Sequence, residues 1–120
     1  MPSSQVNREE LAWAAGVFDG EGNTSYSEKN KSRGYRTPSV HFHLGNTYKP
    51  LLERFQTAIY GLGKIYIMRQ GDAVNKRAWQ LCSGRFEYVQ AVLAMLWPFL
   101  SEQKRTQAKL ALLKYRGGYD

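Results

Sequence analysis

Apolar residues fall along this chain in two rhythms. In Ser39-Val40-His41-Phe42-His43-Leu44 they alternate with polar ones, so Val40, Phe42 and Leu44 face a core while Ser39, His41 and His43 face away. In Leu51, Leu52, Phe55, Ala58 and Ile59 they return at helical spacing and give one apolar face. The same two patterns continue on both sides. A first helix runs from about Arg8 to Asp19, opened by Asn7 with Glu10 one turn on. Asn23 to Glu28 reads as a strand, and Lys29 to Thr37 as a long basic hairpin tip around Gly34. Thr47 is the expected cap of the second helix, which Gly61-Leu62-Gly63 ends. Lys64 to Met68 is a third strand with Ile65 and Ile67 inward. A turn at Gly71-Asp72 leads to a fourth strand, Lys76 to Ser83. There Trp79 and Leu81 face inward, and Lys76, Ala78 and Gln80 outward. Phe86 to Trp97 forms a third helix, halted by Pro98. Ser101 caps a last helix that reaches about Tyr115, with Ala108, Leu110, Ala111 and Leu112 apolar. Met1 to Gln5 is a polar lead, and Tyr119 carries no clear signal.

The order is therefore αββαββαα. Two hairpins with one polar face each imply an α+β domain over residues 1–120. Its sheet is four-stranded and antiparallel, with the helices on one face. No internal repeat, linker or low-complexity segment interrupts it.

One helix stands apart from this scheme. Leu11 to Gly22 is rich in small residues and runs into two carboxylates set among glycines, Asp19-Gly20-Glu21-Gly22. Ala12, Gly16 and Gly20 share a face, so a second helix could approach closely there. Ala15 and Asp19 are counted with them as candidate interface positions. The two glycines are expected to break the helix and leave Glu21 at its C-terminus, where the macrodipole is already negative. A carboxylate there costs about 0.3–1 kcal/mol unless a cation offsets it. A bound metal ion would resolve that conflict.

Composition sharpens the picture. A net charge of +7 is a nucleic-acid-type balance. The absence of a long apolar run argues against a transmembrane span, and the single Cys82 argues against a disulfide framework and for a reducing, intracellular setting. No targeting signal is expected, nor a membrane partner. From Lys29 through Lys49 there is no acidic residue. A strand face rich in cations and hydrogen-bonding groups can lie in a DNA major groove. Candidate DNA-contacting residues are Ser25, Ser27, Lys29, Lys31, Arg33, Arg36, Ser39, His41, His43, Lys64, Tyr66, Met68, Lys76 and Gln80. His41 and His43 with Cys82 supply too few ligands for a structural zinc site.

The stretch Ala14-Ala-Gly-Val-Phe-Asp-Gly-Glu-Gly22 resembles the signature helix of LAGLIDADG homing endonucleases. The turn Gly61-Leu62-Gly63-Lys64-Ile65 and the run Trp97-Pro98-Phe99-Leu100 followed by Lys104 also look like that family's, as does the order of elements. The resemblance implies a saddle-shaped sheet and a homodimer built on two packed signature helices. It also implies cleavage of both strands of a long, roughly palindromic DNA site, across the minor groove and leaving 3′ overhangs. By it, Glu21 with the backbone of Gly20 would hold Mg²⁺ (or Mn²⁺ or Ca²⁺), Glu standing where Asp is more familiar. Lys104 falls at the family's lysine near the scissile phosphate if one extra residue is allowed after Leu100; without it, Gln103 falls there. Asn46 falls at a polar position that orders water. Lys49 lies near a second basic position, although Pro50 follows and the spacing differs. The rival on the same scaffold is a non-cleaving DNA-binding regulator or an RNA-splicing maturase, the one case in which RNA would be a partner. The retained Glu21 and Lys104 favour the nuclease.

Overall fold

The computed structural model describes residues 7–117, with the side chain of Lys31 excepted; the polar lead before Val6 and Tyr119 lie outside it. Helix α1 (Arg8–Glu21) leads directly into strand β1 (Gly22–Lys29), and a short 3₁₀ turn (Lys31–Arg33) carries the chain to β2 (Thr37–Asn46). Helix α2 (Lys49–Ala58) is followed by β3 (Lys64–Arg69), β4 (Ala78–Ser83) and α3 (Phe86–Leu96). A 3₁₀ turn at Trp97–Phe99 then precedes α4 (Glu102–Tyr115). The expected α+β order holds. The four strands form one antiparallel sheet in the order β1-β2-β4-β3, so the second hairpin is inserted with its later strand against β2.

Register sorts the side chains. Val40, Phe42 and Leu44 of β2 and Leu81 of β4 are buried on one face, where Phe18, Leu52, Phe55, Ile59, Val89, Val92 and Leu96 of the helices meet them. The other face carries Ser25, Ser39, His41, His43 and Gln80, paired across strands as Ser25 with His41 and Gly45 with Gln80. Among the described residues no helix is long and apolar enough to cross a membrane.

Several local expectations change. Gly20 does not break α1; the helix continues through it to Glu21, and the Gly22 amide donates back to the Phe18 carbonyl. Thr47 does not cap α2. The cap residue is Tyr48, whose amide donates to Asn46 Oδ1 at 2.7 Å. Lys76 lies in the β3–β4 connection and not on a strand; its carbonyl accepts from the Arg69 guanidinium. Ile67, expected inward, is 46% exposed, and Ala78, expected outward, is buried. Both sit where the β3–β4 register slips, with Ile67 opposite Trp79 and Arg69 opposite Ala78. A bulge there adds a residue to one strand and breaks the simple alternation. Leu110 of α4 is likewise exposed, while Ala108 and Ala111 carry that helix's contact with the core.

Gly22 shows how tightly the α1–β1 junction is built. Its φ is an ordinary −96°, so conformational freedom does not explain it. A Cβ at this position would run into the ring of Phe18, which is fully buried. Gly22→Ala should therefore destabilise the fold by about 1–3 kcal/mol, the usual cost of overpacking a core. Urea denaturation reads this directly, and a parental midpoint would show that the ring can yield.

Candidate functional site

The C-terminus of α1 is where the chain brings its chemistry together. Glu21, the last residue of the helix, is exposed, and no basic residue lies in the last turn of α1 to offset it. Its Oε1 accepts a hydrogen bond from Asn46 Nδ2 at 3.0 Å. Because Asn46 Oδ1 is committed to the Tyr48 amide, the side-chain amide is oriented with its NH₂ toward the carboxylate. Lys104 Nζ donates to the carbonyl of Gly22, the residue after Glu21, at 2.6 Å. Asp19 Oδ1 accepts from the amide of Ser101, and Ser101 Oγ in turn accepts from the Lys104 amide and caps α4. The start of α4 is thus tied to the end of α1 by Asp19 and by Lys104.

The side chain of Lys104 thus reaches the junction at which α1 passes into β1. Gln107, one helical turn beyond Lys104, accepts from the Thr24 amide at 3.3 Å. β1 is an edge strand, so Gly22 O and Thr24 N are backbone groups with no neighbouring strand, and α4 satisfies them from the side. Gln107 was not singled out from the sequence. Its turn-spacing from Lys104 was the available signal, but nothing in the pattern showed that α4 covers an edge. Lys49 stands apart from this cluster. Its ammonium lies 5.9 Å from the centre of the Trp79 ring, and Trp79 is the cross-strand neighbour of Asn46.

Gly16 and Gly20 face open space: a Cβ at either would meet nothing within 4 Å. Ala12 is exposed beside them, and Asp19 is half-buried with its carboxylate engaged at Ser101. Ala15 does not belong with them. It is fully buried, because Leu11, Ala14, Ala15 and Phe18 form the side of α1 that faces the chain's own core.

The donors at the helix end are oxygens, which suits a hard divalent cation. Among the described residues no group of three or more His, Cys, Asp or Glu side chains comes together to hold a metal ion.

The sheet's outer face has a different character. Ser25 Oγ and His41 Nε2 are 2.9 Å apart, and the His41 and His43 rings stack at 5.8 Å between centroids. A cleft of about 410 Å³ opens over Lys29, Ser39, His41, His43, Gln80 and Cys82, with no acid in its lining. Ser39 is only 9% exposed in it. Partial burial lowers both histidines from their ordinary pKa, helped by the Lys29 charge at His41 and by the His41 charge at His43. Burial also raises the Cys82 thiol. Met68 lies toward the same face, its terminal methyl against Gly45. Ser27 and Lys29 follow Ser25 at alternate positions of β1, and Lys64 and Tyr66 are exposed on β3. In the hairpin tip Arg33 is exposed, and Arg36 is 3.5 Å from Glu28.

The histidine shifts have a testable sign. The fold favours the neutral rings, so their contribution to stability is complete above the unfolded-state pKa of 6.5 and is lost as pH falls through the lower folded value. NMR titration should find both rings ionising below the ordinary range. The His41→Gln/His43→Gln double variant should lose less stability than the parent between about pH 7 and about pH 5. Unshifted titration of both rings would refute the burial argument.

No protein-family model matches the chain, and no curated protein matches its sequence. Its fold, however, is found among solved structures. The homing endonuclease I-CvuI, in complex with its target, aligns with a TM-score of 0.68 and 22% identity over 91% of this chain and 67% of that one. The LAGLIDADG meganuclease I-AabMI, bound to uncleaved DNA, gives a TM-score of 0.69 and 20% identity over 92% of this chain and 36% of its own. The LAGLIDADG homing endonuclease I-SmaMI, bound to cleaved DNA, gives 0.68 and 18% over 93% and 36%. The chain thus has the LAGLIDADG homing endonuclease fold, and it spans two thirds of the first of these proteins and little more than a third of the other two.

Proposed function

We propose that this chain is one half of a metal-dependent, site-specific DNA endonuclease, completed by a second copy of itself. The observation that carries the reading is the pair of open glycines on α1, Gly16 and Gly20, leading to an exposed Glu21 that Asn46 orients. Such a surface lets two helix backbones approach closely. It would bring two carboxylates together, as hydrolysis of a phosphodiester by paired metals requires. The similar structures support it further: I-AabMI is bound to uncleaved DNA and I-SmaMI to cleaved DNA, and the chain matches little more than a third of each.

In this reading the outer face of the sheet lies on the duplex. Lys29, Arg33, Arg36 and Lys64 meet phosphates, while Ser25, His41, His43 and Gln80 face base edges. Lys31 and Lys76 add charge from the connections. Glu21 and the backbone of Gly20 would hold Mg²⁺, which supplies Lewis-acid stabilisation of the attacking and leaving oxygens when bound. Asn46 fixes one carboxylate oxygen of Glu21, so the other is left to face the ion, and it can orient a water beside it. Lys104 places a positive charge at the same junction, where it can stabilise the charge that develops on the phosphate. Lys49, held over Trp79, is a second cation at the margin of the site.

Three variants test this. Glu21→Gln keeps the shape and removes the metal-binding charge. It should lose cleavage by several orders of magnitude in a randomised duplex library with Mg²⁺, while still binding duplex as well as the parent; a chelator should reproduce the loss in the parent. Lys104→Ala should slow cleavage less completely. Library sequencing that recovers cut ends from Glu21→Gln at the parental rate would refute the site. Gly16→Leu should separate the two copies: sedimentation should show a monomer, and cleavage should vanish. A parent that is monomeric at micromolar concentration and fully active would refute the dimer.

A further inference from the structure

We infer that a second basic cleft, at the outer rim of the sheet, grips a backbone phosphate of the duplex through Arg85. The inference rests on the reading of the sheet's outer face as a DNA surface and extends it to residues outside that face. The cleft, about 380 Å³, lies between the start of β3, the end of β4 and the start of α3. Its functional lining is Lys64, Tyr66, Ser83, Arg85 and Tyr88, and no acidic residue borders it.

Arg85 is prepared for an anion. Its guanidinium lies over the Tyr88 ring, 4.7 Å from the centre, so the aromatic face braces the cation. Among the described residues no carboxylate lies within ion-pair distance of Arg85 or Lys64. The Arg85 amide donates to Ser83 Oγ at 3.2 Å, which ties the loop down at the base of the side chain. Gly61, Gly63, Cys82 and Gly84 complete the lining. Gly63 has φ +90°, and a Cβ there would press on the Cys82 carbonyl at 3.1 Å and on the buried Phe42 and Leu81 side chains, so the turn into β3 is held close against the sheet.

Position supplies the ligand. His43, Cys82 and Lys64 are cross-strand neighbours in one row from β2 through β4 to β3. Cys82, Ser83 and Gly84 border both this cleft and the one over His41 and His43. A duplex seated on the histidines therefore has its backbone carried along that row to the rim. An arginine fork takes two oxygens of a phosphodiester, and the Lys64 ammonium and a tyrosine hydroxyl can take the rest. Such a contact positions the duplex and carries no base information.

The test is duplex binding by the full chain, followed by fluorescence anisotropy over a salt series, on two duplexes of unrelated sequence. Parent affinity should fall steeply with salt. Arg85→Gln should flatten the log–log slope by about 0.9 for each copy on the duplex, about 1.8 for the proposed dimer, and weaken binding equally on both duplexes. Arg85→Lys should keep the slope and bind less tightly. Lys109→Gln, on the helix layer beside Trp97, should behave as the parent. A salt-dependent parent with an unaltered Arg85→Gln slope would overturn the inference alone. A loss confined to one duplex would overturn the assignment to phosphate. A parent with no salt-dependent duplex binding would overturn the DNA reading itself.

Discussion

Gly22 has no side chain because the ring of Phe18 already occupies the place where one would go. That contact fixes how α1 ends and β1 begins, and much of the structure depends on it. The helix cannot drift away from the sheet, so Glu21 is held at the point where the helix surface and the sheet edge meet. Asn46 at the end of β2 reaches Glu21, Lys104 from α4 reaches Gly22, and Ser101 receives Asp19. Helix α1, strands β1 and β2 and the start of α4 thus meet at the junction that carries the exposed Glu21.

The exposure is informative because of what surrounds it. Negative charge at a helix C-terminus is unfavourable, and α1 has no basic residue in its last turn. A protein under selection for stability alone would gain from a lysine there. Instead, the cation present, Lys104, is anchored on a backbone carbonyl. The two nearby glycines give α1 a flat strip of backbone, at a cost in helix propensity of about 1 kcal/mol each. Both features are unexplained within a single copy and make sense together if a second helix and a metal ion complete the junction. The sheet is separately equipped: its acid-lacking clefts over the histidines and beside Arg85 share one floor.

The pattern of apolar positions carried most of the fold. Alternation in β2 and the helical stripe of α2 gave elements that the structure retains, and the αββαββαα order followed. What the pattern missed were places where a neighbour overrides local spacing. Ile67 and Ala78 sit at a register slip that alternation cannot register. Ala15 looks like its neighbours on the small-residue helix, yet belongs to the side that the core covers. Tyr48 takes the cap position from Thr47 at the start of α2, its amide held by the side chain of Asn46 at the end of β2. At the candidate site, Glu21 was legible from its glycines. Gln107 and Arg85 were not, since one serves a strand edge distant in sequence and the other lines a cleft whose opposite wall, Lys64 and Tyr66, comes from β3.

The central claim is that Glu21 is a metal ligand at a site that needs DNA and a second copy. Titration of Mn²⁺ into the duplex-bound protein, followed by the loss of the free-ion EPR signal, tests it without relying on turnover. Stoichiometric Mn²⁺ uptake by the parent on DNA, absent in Glu21→Gln bound to the same duplex, is the expected result. Equal Mn²⁺ uptake by both proteins would contradict the account.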